Sequence, residues 1–440
     1  MSDVRQGSHW GIVGGGMLGM TLAHRLRQQG KRVTLIEAAP QLGGLASAWQ
    51  VGDVVWDRHY HVTLMSDSFL RRVLTELDLD ADIEWAETRT GVFADGQLYS
   101  VSNTLELLRF PVLGWSDVAR LGATILWASR VRDWQRLEEI PVSEWLARWS
   151  GRRTYERFWL PLLRSKLGDT YTETSAAFIW ATIQRLYAAR RSGMKKEMFG
   201  TVRGGYARVL ERFAQRLETS GVRILLGSPV ARVEPTGDEV KVEFQSGGKE
   251  AFDHVVVTAA APVAARLCVG LTGDETQRLA GVRYLGIVCA SLLLRRPLAG
   301  YYVTNLLDLG LPFTGVIEMS ALLRPEHFGG RGLVYLPRYL EPDDALFELP
   351  DAEIESLFLE GLMRVYPTVR REDVLAFRIS KVRFVMPLPT LGYSKRVPPT
   401  ETSARGLHLV NSAQILNGTL NVNETVQLAE RAAERFSGMS

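Results

Sequence analysis

Apolar runs that alternate with helical periodicity set the frame of this chain. WGIVG at 10–14 is a short, wholly apolar run of the kind that makes a buried strand. The apolar positions of MTLAHRL then recur at helical spacing up to Gly30, and RVTLIE is again strand-like. Residues 200–218 carry Val209, Leu210, Phe213 and Leu217 on one face of an amphipathic helix. VRILLGSPVARVE predicts two short strands around Gly227-Ser228-Pro229, and HVVVTAAAP a strand over 254–258 that ends in small residues. Residues 406–436 read as strand, loop, helix. Residues 71–199 read as mostly helical. Residues 266–374 mix strands (IVCASLLL, GLVYLPRYL) with a helix (DAEIESLFLEGLMRVY). No repeat or low-complexity linker interrupts them.

The first strand–helix–strand run holds the chemistry that is easiest to read. Gly14-Gly15-Gly16-Met17-Leu18-Gly19 is a G-x-G-x-x-G placed between strand and helix, and the second strand ends in Glu37. Gly14 permits the tight turn, Gly16 lets backbone approach a pyrophosphate, and Gly19 lets helix pack on strand. The helix start offers unpaired N–H groups and a positive dipole end to phosphates. Glu37 is placed to accept both ribose hydroxyls and to repel a 2′-phosphate, which argues against NADP. This predicts an α/β fold with a Rossmann-type dinucleotide-binding domain, built from 8–70, 200–265 and 375–437. An α+β substrate domain from 71–199 and 266–374 is inserted into it.

Composition and charge change the picture further. A net charge of +3 over 440 residues gives no reason to expect nucleic acid as a partner. Cys268 and Cys289, in apolar surroundings, read as buried free thiols, with no metal-ligand spacing; this suits a reducing cytoplasm. MSDVRQGSHW is not followed by an apolar run and cleavage site, and no stretch approaches the ~20 apolar residues of a spanning helix, so a soluble or peripheral protein is expected. Seven of the eleven tryptophans, Trp115, Trp127, Trp134, Trp145, Trp149, Trp159 and Trp180, crowd residues 115–180 of the first insertion. Residues 151–200 carry ten Lys/Arg against four Asp/Glu, a local +6. That pattern fits a packed helical subdomain with a solvated basic face, a peripheral membrane contact, or a deep pocket for a bulky or anionic substrate.

After Glu37 comes Pro40-Gln41-Leu42-Gly43-Gly44, a P-x-x-G-G turn that resembles the two-dinucleotide-binding-domain flavoproteins. With the glycine motif and the C-terminal strand–loop–helix, it is similar to the flavin amine oxidase superfamily. Phe158-Trp159-Leu160-Pro161-Leu162-Leu163-Arg164-Ser165-Lys166-Leu167-Gly168, Leu311-Pro312-Phe313-Thr314-Gly315-Val316-Ile317-Glu318 and Tyr335-Leu336-Pro337-Arg338-Tyr339-Leu340 resemble its protoporphyrinogen-oxidase-like oxidoreductases. The resemblance implies non-covalent FAD, with Gly43 and Gly44 beside its ribose and pyrophosphate and Val230 lending backbone to the adenine. It also implies that Asn411, where most relatives carry an acid, stands near the cofactor.

For chemistry, the segment Asp57-Arg58-His59-Tyr60-His61 matches one that brings a histidine beside the flavin, so His61 either lines the ring or faces solvent. Tyr393, in KVRFVMPLPTLGYSK, is either part of an aromatic wall or a loop tyrosine. Asn417, Asn421 and Asn423 either cap the last helix or meet the flavin carbonyls. The lysine that amine oxidases place near the flavin N5 has no evident counterpart. The expected activity is FAD-dependent hydride removal from a C–H bond of a bulky organic substrate. The alternative is a non-redox nucleotide-sugar mutase, similar to UDP-galactopyranose mutase.

Overall fold

The computed structural model describes residues 7–190, 198–416 and 419–439. The predicted strands near the glycine motif assemble into one five-stranded parallel sheet, in the order Arg223–Leu225, Arg32–Ile36, His9–Val13, His254–Val257, Leu407–Leu409. Its central strands are apolar on both faces because both are covered. Trp10, Ile12, Val33, Leu35 and Val256 meet the helices Met17–Gln28, Ser68–Glu76, Gly205–Thr219 and Val422–Phe436. Val13, Ile36, Val255 and Val257 meet a three-stranded antiparallel layer of residues 230–252. Val209, Leu210, Phe213 and Leu217 are all buried, as their helical spacing predicts.

The second body is a seven-stranded mixed sheet, in the order Val374–Pro387, Tyr284–Leu294, Gly332–Leu340, Gly315–Glu318, Val303–Leu306, Thr90–Ala94, Gln97–Ser100. Its second strand, Tyr284–Leu294, pairs on both sides and is buried throughout. Sheet membership therefore groups Val374–Pro387 with these strands. The helix Asp351–Val365 covers one face through Ile354, Phe358 and Leu362.

The reading of 71–199 as mostly helical misses three strands, Ile83–Glu87, Thr90–Ala94 and Gln97–Ser100. Asp95-Gly96, both with positive φ (50° and 70°), form the two-residue hairpin turn that joins the last two. The rest of that insertion is a helical layer. Trp145, Trp159 and Trp180 lie in its core. Trp115 is 80% exposed, and Trp127 stacks on Trp149 at 4.0 Å on the outside. A π turn at Tyr155–Trp159 leads into the helix Leu160–Leu167, where Pro161 has no N–H to donate to the preceding turn. Among the described residues no helix is long and apolar enough to cross a membrane.

Candidate flavin and substrate site

The glycine turn is built around close backbone approach. Gly14 has φ +116°, and a Cβ there would stand 2.3 Å from Thr258 Oγ1. A Cβ on Gly19 would meet the Gly14 carbonyl oxygen at 1.9 Å, so helix and strand touch where only glycine fits. Gly15 N–H donates to Glu37 Oε2 (2.6 Å) and Ala39 N–H to Oε1 (2.8 Å), so Glu37 braces the turn from the second strand. The second turn docks on the first through Gly43 N–H to Gly15 O at 2.9 Å.

Gly16 differs from its neighbours. A Cβ there would find nothing nearer than Gly44 Cα at 4.0 Å, so its face is open space. The helix Met17–Gln28 begins at Gly16 with no side-chain cap and no acid in its first turn. Its N–H groups are left to an anion.

From this cradle a cavity of about 840 Å³ runs to the start of the helix Val422–Phe436. Gly14, Gly16, Gly43, Gly44, His61 and Asn421 line it; Gly19, Glu37, Val230, Asn411 and Tyr393 do not. Asn421 caps the closing helix, accepting from Glu424 N–H (3.1 Å) and donating to Thr419 O (2.6 Å). Asn423 instead accepts from Phe69 and Leu70 N–H, both at 3.1 Å, and so ties down the helix Ser68–Glu76. Asn417 lies outside the described residues. Val230 opens a strand paired with Phe244 and is buried in the core beneath the parallel sheet.

Tyr393 does not reach the cavity. It is buried and donates its hydroxyl to Ala413 O at 2.8 Å, backing the loop after the last strand. The aromatic wall expected of it is made by Tyr60, Tyr302, Tyr339 and Phe384. Arg383 turns away to Glu348 and the Pro342 carbonyl. Asn411 is buried behind the same loop and accepts from Ala413 N–H at 3.1 Å; its Nδ2 has no partner among the described residues.

Two histidines, His59 and His61, line the cavity. His59 bonds Leu45 O through Nδ1 at 3.1 Å, and its buried Nε2 has no partner among the described residues. Burial pushes its pKa down to about 4. His61 is pushed down to about 3, chiefly by burial and then by its neighbour His59. Its Nδ1 lies 3.8 Å from Asp57 Oδ2, too far for a hydrogen bond. Asp57 is itself buried and raised to about 7, although Tyr206 N–H donates to its Oδ1 at 2.7 Å. At neutral pH both histidines are therefore neutral, and the close approach of His61 to Asp57 is not an ion pair.

The far wall escaped residue-level sequence reasoning. Trp159, Leu162, Leu163, Ser165 and Lys166 enter from the insertion helices, and Thr314 and Tyr339 from the mixed sheet. All of them stand within the three segments that carry the family resemblance, so that resemblance was marking the cavity.

A parallel nucleotide-binding sheet, an uncapped helix over an open glycine and a large aromatic-lined chamber define a flavin-dependent oxidoreductase. The chain belongs to the flavin containing amine oxidoreductase family, whose model matches residues 18–436. Similar solved structures include a putative protoporphyrinogen oxidase from Exiguobacterium sp. 255-15 (17% identity, TM-score 0.78, 99% of each chain covered). A putrescine oxidase variant is similar at 17% identity and TM-score 0.77, over 98% of this chain and 99% of that one. Cyclohexylamine oxidase from Brevibacterium oxydans IH-35A is similar at 16% identity and TM-score 0.71, with 98% and 99% covered. None of these three is a sugar mutase, and no curated protein matches the chain.

Proposed function

We propose that this enzyme binds FAD non-covalently and removes a hydride from a C–H bond next to carbon or nitrogen in a bulky, largely apolar substrate. The observation that carries this reading is the single cavity joining the open cradle at Gly16 to the chamber walled by Tyr60, Tyr302 and Tyr339. FAD rather than FMN is supported by Glu37, which ends the second strand beside the glycine turn, where an adenosine ribose would lie. Neither cysteine lines the cavity, which supports non-covalent attachment. Gly14, Gly16, Gly19, Gly43 and Gly44 would shape the pyrophosphate path, with Val230 and Asn411 as supporting backbone and Asn421 fixing the closing helix. We place the nucleotide domain on the parallel sheet and its helices (8–70, 200–265 and the part of 375–437 beyond Pro387), and the substrate domain on the remainder. A cytoplasmic location fits the two buried thiols. The face of the helix Trp115–Ala128 bearing Trp115, Leu126 and Trp127, flanked by Arg120 and Arg130, is where peripheral contact with an anionic membrane would occur.

Bound in this cradle, the flavin supplies the hydride acceptor. The chain's own part is orientation and exclusion of water. Leu162, Leu163 and Phe178 give the substrate an apolar seat. Neutral His61 positions the substrate side and tunes the local field; with a pKa near 3 it is no general base at neutral pH.

Anaerobic addition of candidate amines, porphyrinogens, polyenes and nucleotide sugars tests the reaction class. Substrate-driven bleaching of oxidised flavin is expected, and His61→Ala should slow it about 10- to 100-fold with FAD retained. Activity that needs prior dithionite reduction, with no bleaching by any substrate, would overturn the oxidoreductase reading in favour of the mutase.

A further inference from the structure

We infer that Lys166 is an anion seat, and that the substrate is an apolar molecule bearing a carboxylate rather than a protonated amine. This rests on the reading of the cavity as the substrate chamber. Among the described residues the cavity lining contains no aspartate or glutamate and two basic side chains, Lys166 and Arg185. Arg185 already has a carboxylate, Asp67 Oδ2 at 3.3 Å. Lys166 has none within 4.0 Å among the described residues. Its ammonium lies instead over the ring of Tyr339, 3.2 Å from the centroid.

This placement is built rather than incidental. A lysine free to choose extends its ammonium into bulk water. Here the helix Leu160–Leu167 is latched to the mixed sheet on both sides of one residue pair. Ser165 Oγ donates to Thr314 O at 2.7 Å, and Thr314 Oγ1 donates to Ser165 O at 2.9 Å. Tyr339 N–H meets the same Thr314 hydroxyl at 3.3 Å, and the Tyr339 and Tyr60 hydroxyls are 3.0 Å apart. The ammonium is held half-buried, with donor capacity left over and no negative partner. A carboxylate entering the chamber completes that site, while an alkylammonium meets a like charge with no acid to offset it. The neighbouring walls, Trp159, Leu162 and Phe178, are suited to the apolar body.

Decanoate, decanol and decylamine share one chain and differ in head-group charge. Titrating each into the FAD holoenzyme, with perturbation of the flavin absorbance as readout, measures binding without turnover. Decanoate should bind at least about 10-fold more tightly than decanol, and decylamine most weakly. Lys166→Met should lower decanoate affinity about 10- to 100-fold, leave decanol and flavin content unchanged, and be rescued by Lys166→Arg. Tighter binding of decylamine than decanoate would overturn the inference. So would unchanged decanoate affinity in Lys166→Met, or a variant that alters only the limiting rate of bleaching. If no compound bleaches the flavin while decanoate still binds through Lys166, the reaction reading fails and the anion seat stands.

Discussion

Gly16 and Gly19 look alike in the sequence motif and should fail in opposite ways. A Cβ on Gly16 meets no protein atom closer than Gly44 Cα at 4.0 Å, and its φ of −72° is open to any residue. Gly16→Val should therefore fold with a stability within roughly 0.5 kcal/mol of the parent apoprotein, the usual range for a substitution that touches nothing. It should lose FAD, because the valine occupies the space opposite Gly44 that the pyrophosphate needs; a loss of ~100-fold or more corresponds to about 2.7 kcal/mol. Gly19→Ala should do the reverse. Its Cβ would stand 1.9 Å from the Gly14 carbonyl oxygen, a backbone atom that cannot rotate away. Prising helix from strand should cost about 3 kcal/mol or more, at the upper end of overpacking effects, and any flavin loss would follow from lost structure. Urea unfolding of the apoproteins, paired with the flavin-to-protein absorbance ratio after reconstitution, separates the two. Full flavin content in Gly16→Val, or a Gly19→Ala protein as stable as the parent, would refute this assignment of roles.

Glu37→Ala should lower FAD affinity by ~30- to 150-fold, equivalent to about 2–3 kcal/mol, by removing a charge-assisted acceptor; isothermal titration of the apoprotein checks it, and unchanged affinity would remove Glu37 from the site. Stability should fall on acidification from about pH 6.5 toward pH 4. His59, His61 and His408 titrate at about 4, 3 and 4 when folded against 6.5 in their ordinary state, so the unfolded chain takes up the protons. Asp57, raised to about 7, works in the opposite sense over pH 4–7, so Asp57→Asn should steepen the acid loss of Tm; an equal or shallower slope would refute the assignment. The exposed face around Trp115 should give salt-releasable co-sedimentation with anionic vesicles at low ionic strength, weakened by Trp115→Ser; no binding at low salt would remove the membrane contact.

The nucleotide half was legible because its residues answer to local rules. The glycine spacing, the helical periodicity and the apolar runs each involve neighbours within about 20 positions. The substrate wall answers to no such rule. Lys166 meets Tyr339 only through the Ser165–Thr314 latch, which joins positions 149 apart, and nothing in either segment announces the other. Tyr393 stayed open between wall and loop for the same reason: its hydroxyl has a carbonyl to satisfy, and the side chain goes inward to Ala413. The hairpin at Asp95-Gly96 carried a readable turn signal, but its strands are short and sit in a region dominated by helices.

The parallel sheet collects its strands from near residue 9 to residue 409, and the helix Val422–Phe436 packs on the helix Met17–Gln28 through the ion pair of Glu430 with Arg25. During synthesis the glycine turn emerges well before the strand Leu407–Leu409 that completes its sheet. At ribosomal speeds of ~5–20 residues per second, the nascent chain spends some tens of seconds holding half a nucleotide site with its apolar sheet face uncovered. Flavin capture must therefore follow release of the closing helix, so low flavin supply should leave an apoprotein exposed to chaperones and proteases, and yield in the cell should track cofactor availability as much as transcription.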